Sequence, residues 1–202
     1  YGRGNFGVIH FDSHADTIMD GYGFYVHNAN GIAMGEHLGL YKGEHVIQVG
    51  LTSVGPDDSL LKWAKDRQVR YYMQAEIEKD GWETVMRRVL ADVKDIENLV
   101  ITADIDIMAQ AFVPGTGGRE PDGPAPKEMM KMMRALAIQN NVVAVEICEY
   151  NPLLDSQAFE TAIVVRHLML HFMYGKAARM RGIEDPFYYH PDMINDGVGA
   201  PR

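Results

Sequence analysis

Five short apolar runs separated by longer segments of helical period constrain this chain more than any other feature. The runs are "FGVIHF" (6–11), "HVIQVG" (45–50), "VRYYM" (69–73), "NLVITAD" (98–104) and "VVAVEI" (142–147). Each is too short for a stable helix and rich in β-branched or aromatic residues. Their near-continuous hydrophobicity suits strands covered on both faces, as in a parallel sheet. Between them, "SLLKWAKDRQ", "GWETVMRRVLADVKDI" and "PKEMMKMMRALAIQN" carry apolar residues near a 3.6 period, and Ser156–Met180 reads as a long final helix. The alternation predicts an α/β domain with crossover connections over residues 1–180. Residues 181–202 hold no clear period and read as an extended tail over a surface.

Composition narrows the partners. The 202 residues are enough for one sizeable core. A net charge of −9 argues against a nucleic-acid backbone or an anionic membrane as the main partner and is compatible with a cationic small molecule. A single cysteine, Cys148, rules out an intrachain disulfide and fits a reducing compartment, so a cytoplasmic location is expected. No apolar run approaches the ~18 residues of a membrane span. Tyr1 is not an initiator Met and Phe6–Phe11 is already strand-like, so an N-terminal part is expected to be missing.

The chemistry collects at two predicted strand ends. In "VIHFDSHADT" (8–17), Asp12, His14 and Asp16 sit at alternate positions, which places all three on one side of an extended backbone. In "VITADIDIMAQAFVPGTGG" (100–118), Asp104 and Asp106 are again two apart. Ligands of open α/β sheets bind outside the carboxyl ends of the strands. Taken alone, D-x-H-x-D reads equally well as a polar loop, and D-x-D reads as a turn or helix cap. Four carboxylates and an imidazole at two strand ends instead favour divalent metal, because crowded carboxylates repel unless a cation sits between them. Such oxygen-rich ligation suits Mn²⁺, Ni²⁺, Co²⁺ or Fe²⁺ better than a thiolate-rich zinc site.

Three motifs resemble those of the ureohydrolases, the arginase and agmatinase superfamily. "FDSHAD" is similar to the family's F-D-A-H-x-D. "DIDIMAQAFVPGTGGREPDG" is similar to D-I-D-x-x-D-P-A-F-A-P-G-T-G-x-P-E-x-G-G, and "EICEYNPLLD" to D-x-x-E-x-N-P-x-x-D. The resemblance implies a three-layer α/β/α fold with a mostly parallel sheet, and a dinuclear centre of two divalent metal ions, Mn²⁺ or Ni²⁺. It implies hydrolysis of a guanidino carbon–nitrogen bond to urea and an amine. Asp12 and Asp104 would bridge the two ions, Asp16 would complete one site, and His14 and Asp106 the other. His27 would shuttle protons, Glu149 would pair with the substrate guanidinium, and Gly115 and Gly117 would let "PGTGG" turn beside the site. Assembly is implied as a homo-oligomer, trimer or hexamer, or as a hetero-oligomer.

The departures are specific. The family takes one more metal-binding His from a G-G-D-H-S motif upstream of the first strand here. Ala109-Gln110 replaces Asp-Pro, Glu146 stands where Asp is usual, and "HNANG" replaces His-Gly-Thr, putting Asn28 at the expected substrate mouth. These loop changes favour a guanidino substrate other than agmatine, with a nickel-type hydrolase of guanidine, a guanidino acid or a biguanide as one alternative. A non-catalytic partner subunit of such an enzyme is another. His10 is expected to face away from the metal set as a core or supporting histidine. His167 and His171 are expected to pack, and Cys148 to be structural.

Overall fold

The computed structural model describes residues 1–19, 23–52 and 59–189. In chain order the elements are β1 (Gly7–Phe11), α1 (Gly31–His37), β2 (Val46–Leu51), α2 (Ser59–Asp66), β3 (Arg70–Met73) and α3 (Gln74–Asp80). They continue as α4 (Trp82–Asp92), β4 (Leu99–Asp104), α5 (Pro126–Gln139), β5 (Val142–Cys148) and α6 (Glu160–Met180). The five strands are the five apolar runs, and they form one sheet in the order β3-β2-β1-β4-β5 with every pairing parallel.

Side-chain alternation sends the two faces of β1 into different packing layers. Val8 joins Val46, Ile32 of α1, Ala64 of α2 and Val69 in one cluster. Ile9 and Phe11 join Ile47, Val49 and Ile101 in the larger cluster, with Val85 and Val89 of α4, Met129 and Leu136 of α5, and Leu168 of α6. Each fully buried Ile or Leu in that layer contributes roughly 1.5–3 kcal/mol of burial. The inner strands β1 and β2 are thus buried on both faces, which is why they read as continuous apolar runs, while the edge strand β5 leaves Ala144 and Glu146 exposed.

Register decides what the strands carry at their carboxyl ends. Phe11 lies opposite Ala103, so Asp12 and Asp104 leave adjacent strands side by side. Asp104 in turn lies opposite Cys148, so Glu149 follows on the next strand one residue beyond that level.

The helices were less legible. Helix α1, "GIAMGEH", holds two glycines that weaken any helical signal, and α3 lacks a cap residue. Helix α6 begins at Glu160 rather than Ser156, because Phe159 takes a left-handed conformation (φ 57°) and Asp155 caps the first turn. Asp155 Oδ1 accepts from the Thr161 N–H at 3.0 Å and Oδ2 from the Ala162 N–H at 3.1 Å. Within the expected tail, Phe187 lies against the core under Arg87 (Cζ 4.5 Å from the ring centre), and residues 190–202 lie outside the described residues.

Candidate metal centre

The cluster is built on backbone turns that close as each strand ends. The His14 N–H donates to Asp12 Oδ1 at 2.6 Å, and the Asp106 N–H donates to Asp104 Oδ1 at 2.9 Å. Each first carboxylate thus braces the peptide two residues on, the local pattern that favours Asp at turns. Asp16 and Glu149 both adopt left-handed backbone, with φ 51° and 62°. That conformation costs a non-glycine residue about 1–2 kcal/mol and concentrates at functional positions.

Tertiary structure then brings the two segments into contact. His14 Nδ1 lies 3.1 Å from Asp106 Oδ2 and 3.4 Å from Asp12 Oδ1. Ligand-capable atoms of Asp12, His14 and Asp106 all fall within 4.8 Å of one another, and so do those of His10, Asp12 and Asp16. Asp104 is buried beside them, and its carboxyl feels the charges of Asp12, Asp106 and Glu149.

The electrostatics show like charges crowded out of water. Burial, then the charges of Asp12 and Asp106, push Asp104 up to about 9. Burial and the Asp12 charge push Asp16 up to about 6. Burial would raise Asp12 as well, but hydrogen bonds with His10 and His14 outweigh it and hold that carboxyl well below the usual range. Hydrogen bonds to Asp106 and Asp12 push His14 up to about 11. A group of carboxylates that recruits protons to coexist is one a divalent cation suits, and the donor set of oxygens with imidazole fits such an ion.

His27 and Asn28 do not join either group of ligand atoms. They belong to an outer loop that Asn30 braces: its amide donates to the Tyr25 carbonyl at 2.8 Å, and its Oδ1 accepts from the His27 N–H at 3.3 Å. The Ile18 N–H bonds the Ala29 carbonyl at 3.0 Å, which ties this loop to the chain just past Asp16. Glu149 is exposed at the mouth of the cluster.

His10 does not face away from the cluster. It is two residues before Asp12, shares its side of β1, and places Nε2 at 2.9 Å from Asp12 Oδ2. Gly117 has open space around it, and the close approaches of "PGTGG" are at Gly115, against Thr161, and at Gly118, against Asp106. Two supporting groups had no visible sequence signal. The fully buried Ser13 donates its hydroxyl to Asp106 Oδ1 at 2.7 Å, and Gln48 on β2 reaches His10. Glu120, after the glycine turn, brings Oε1 to 3.8 Å from His14 Nε2.

Comparison with known proteins agrees with this geometry. Residues 1–175 match the family described as the arginase family. The chain is 27% identical to the formimidoylglutamase of Bacillus subtilis (strain 168) over 176 residues, covering 86% of this chain and 54% of that protein. It is 28% identical to the agmatinase of Enterobacter sp. (strain 638), covering 87% and 53%. The structure of proclavaminate amidino hydrolase from Streptomyces clavuligerus superposes with a TM-score of 0.80 at 25% identity, over 88% of this chain and 58% of that one. The chain spans about half the length of the relatives it matches.

Proposed function

This chain belongs to the arginase family, and from that premise we propose that it carries the centre of a dinuclear metal amidinohydrolase that cleaves a guanidino carbon–nitrogen bond to urea and an amine. The observation that carries the reading is the meeting of Asp12 with His14 and Asp106 and with Asp16, with Asp104 buried on the adjacent strand end beside them and Glu149 at the mouth. Asp12 and Asp104 would be shared between two divalent ions, Asp16 would complete one site, and His14 with Asp106 the other. Such a pair of ions, when bound, lowers the pKa of water from ~15.7 toward ~7 and so makes hydroxide available at neutral pH.

The chain's own residues supply the rest. Glu149 would hold the planar, permanently cationic guanidinium by paired hydrogen bonds, presenting its carbon to the floor of the cluster. His27 would carry a proton to the departing nitrogen, with Asn28 beside it contacting the substrate's far end. The raised Asp104 and Asp16 carboxyls support cation binding, because a divalent charge replaces the protons that otherwise relieve their repulsion.

The substrate panel has to be broad. Relatives of nearly equal identity are named a formimidoylglutamase and an agmatinase, and the "HNANG" loop departs from the agmatinase pattern. Agmatine, guanidino acids, guanidine, biguanides and formimidoylglutamate are therefore assayed with Mn²⁺ or Ni²⁺. Elemental analysis close to two ions per chain and release of urea from one of the guanidino compounds is the expected result, whereas turnover confined to formimidoylglutamate, which cannot yield urea, would refute the guanidino assignment. Asp104→Ala should lose both metal and turnover, whereas Glu149→Gln should keep the metal and lose substrate affinity. A Glu149→Gln protein with an unchanged KM would refute the role given to Glu149. No metal uptake at all would instead favour a non-catalytic subunit. Self-assembly is part of the reading, supported by exposed Ile163, Met173 and Tyr174 on α6, and light scattering tests it.

A further inference from the structure

One buried imidazole in the cluster is used by none of the roles above. His10 is 3% exposed and lies between two groups, with Nε2 at 2.9 Å from Asp12 Oδ2 and Nδ1 at 3.1 Å from Gln48 Nε2. Gln48 is 1% exposed, and the same amide nitrogen is 2.6 Å from the Ala15 carbonyl.

These contacts settle where the proton sits. A carbonyl oxygen only accepts, so the end of the Gln48 amide facing Ala15 must be its NH2 group. That NH2 has two hydrogens; one goes to Ala15, and the other points at His10 Nδ1. Nδ1 therefore accepts, and the imidazole proton lies on Nε2, donated to Asp12. A turned-over amide would set two acceptors against each other at Ala15, where both residues are buried.

We propose that His10 is a positioning residue for the metal centre: held by Gln48 in its Nε2–H form, it clamps Asp12 Oδ2 and fixes the plane of a carboxylate shared by two ions. This rests on the dinuclear reading above. The Asp12 carboxylate is then held at both oxygens, by His10 at Oδ2 and by the His14 N–H at Oδ1, with a lone pair left on each for metal. His10, Asp12 and Asp16 also lie close enough together to share an ion directly. The Gln48 contact decides against that alternative, because Nε2 cannot ligate while it carries the proton.

Second-sphere partners of this kind are worth about 10–100-fold in metal affinity. The test titrates Mn²⁺ into the full chain and into His10→Phe, His10→Gln and Gln48→Leu, by calorimetry and by pulsed EPR for nitrogen bound to manganese. His10→Phe should still take two ions at saturation, with affinity lowered about 10–100-fold. His10→Gln places an amide N–H where Nε2–H was and should recover most of that loss, with the bound-nitrogen signal unchanged from wild type. Gln48→Leu, whose circular dichroism and melting are followed alongside, should show a smaller loss of the same kind and serves if His10→Phe does not fold.

A His10→Gln protein that saturates at one ion fewer, or loses a bound nitrogen, would make His10 a ligand and overturn the inference. Equal Mn²⁺ affinity in wild type and the folded variants would overturn it as well. A wild-type chain that binds no Mn²⁺ would overturn the dinuclear reading, and this inference with it.

Discussion

Stripping the protein of divalent ions should make its stability fall as pH rises through neutrality, and Asp104 sets the slope. Its carboxyl is raised from an ordinary 3.8 to about 9, by burial first and then by the charges of Asp12 and Asp106. A folded-state pKa raised this way means the native chain holds a proton that the unfolded chain releases between those two values. The contribution is complete below the unfolded pKa and is lost as pH rises toward the folded one. One proton of difference gives about 1.4 kcal/mol of lost stability per pH unit across that window. For a chain of this size, that corresponds to roughly 3–6 °C in Tm per unit.

The neighbouring groups do not reverse this. Asp16, raised to about 6, adds to the fall only at lower pH. Asp12, held low, is ionised in both states near neutrality and drops out; its own contribution is lost only as pH falls through the acid range. His14, raised to about 11, acts in the same direction as Asp104, but its side chain is 41% exposed, so solvent screening discounts its share.

The assay is a set of calorimetric melts of chelator-treated protein between about pH 6.5 and about pH 8.5, beside Asp104→Asn over the same range. The variant has no carboxyl to titrate, so its slope should be shallower by about 1.4 kcal/mol per unit. Adding Mn²⁺ to wild type should flatten or invert the slope, since ion binding needs those carboxylates deprotonated. Parallel lines for metal-free wild type and Asp104→Asn would refute the reasoning.

Three further outcomes are expected. Ser13→Ala removes a buried hydroxyl that donates to Asp106 at 2.7 Å; urea unfolding should show a loss of about 1.5 kcal/mol, and an unshifted midpoint would deny the bond any worth. Gly118→Ala would press a methyl group into Asp106 Oδ2, so metal affinity should drop roughly tenfold while the melting temperature barely moves; unaltered Mn²⁺ binding would show that the turn yields freely. Asp155→Ala removes the acceptor for the first N–H groups of α6 and should cost about 1–2 kcal/mol, with faster amide exchange confined to the first turn of that helix.

Much of the architecture was legible because a doubly covered parallel strand has to be apolar on both sides. Each of the five continuous runs became a strand, and the carboxylates at the ends of two of them became the cluster. The side on which His10 lies was legible too, since residues 10, 12 and 14 share parity, yet a histidine inside an apolar run reads first as core. Helices α1 and α3 were missed for a different reason: α1 holds two glycines, α3 is only seven residues long without a side-chain cap, and helices this short depend on packing.

The sequence by itself determined which side chains stand at strand ends and which share a face, because both follow from the period-two geometry of one extended chain. Only the tertiary structure decided that β1 lies between β2 and β4, and everything that depends on that order. Ser13 meets Asp106 from 93 residues away and Gln48 meets His10 from 38, and neither separation leaves a local pattern. The lowered Asp12 and raised Asp104 are likewise properties of the assembled site. A carboxyl's proton affinity depends on the water excluded and the charges brought near it, and those exist only once distant strands have paired.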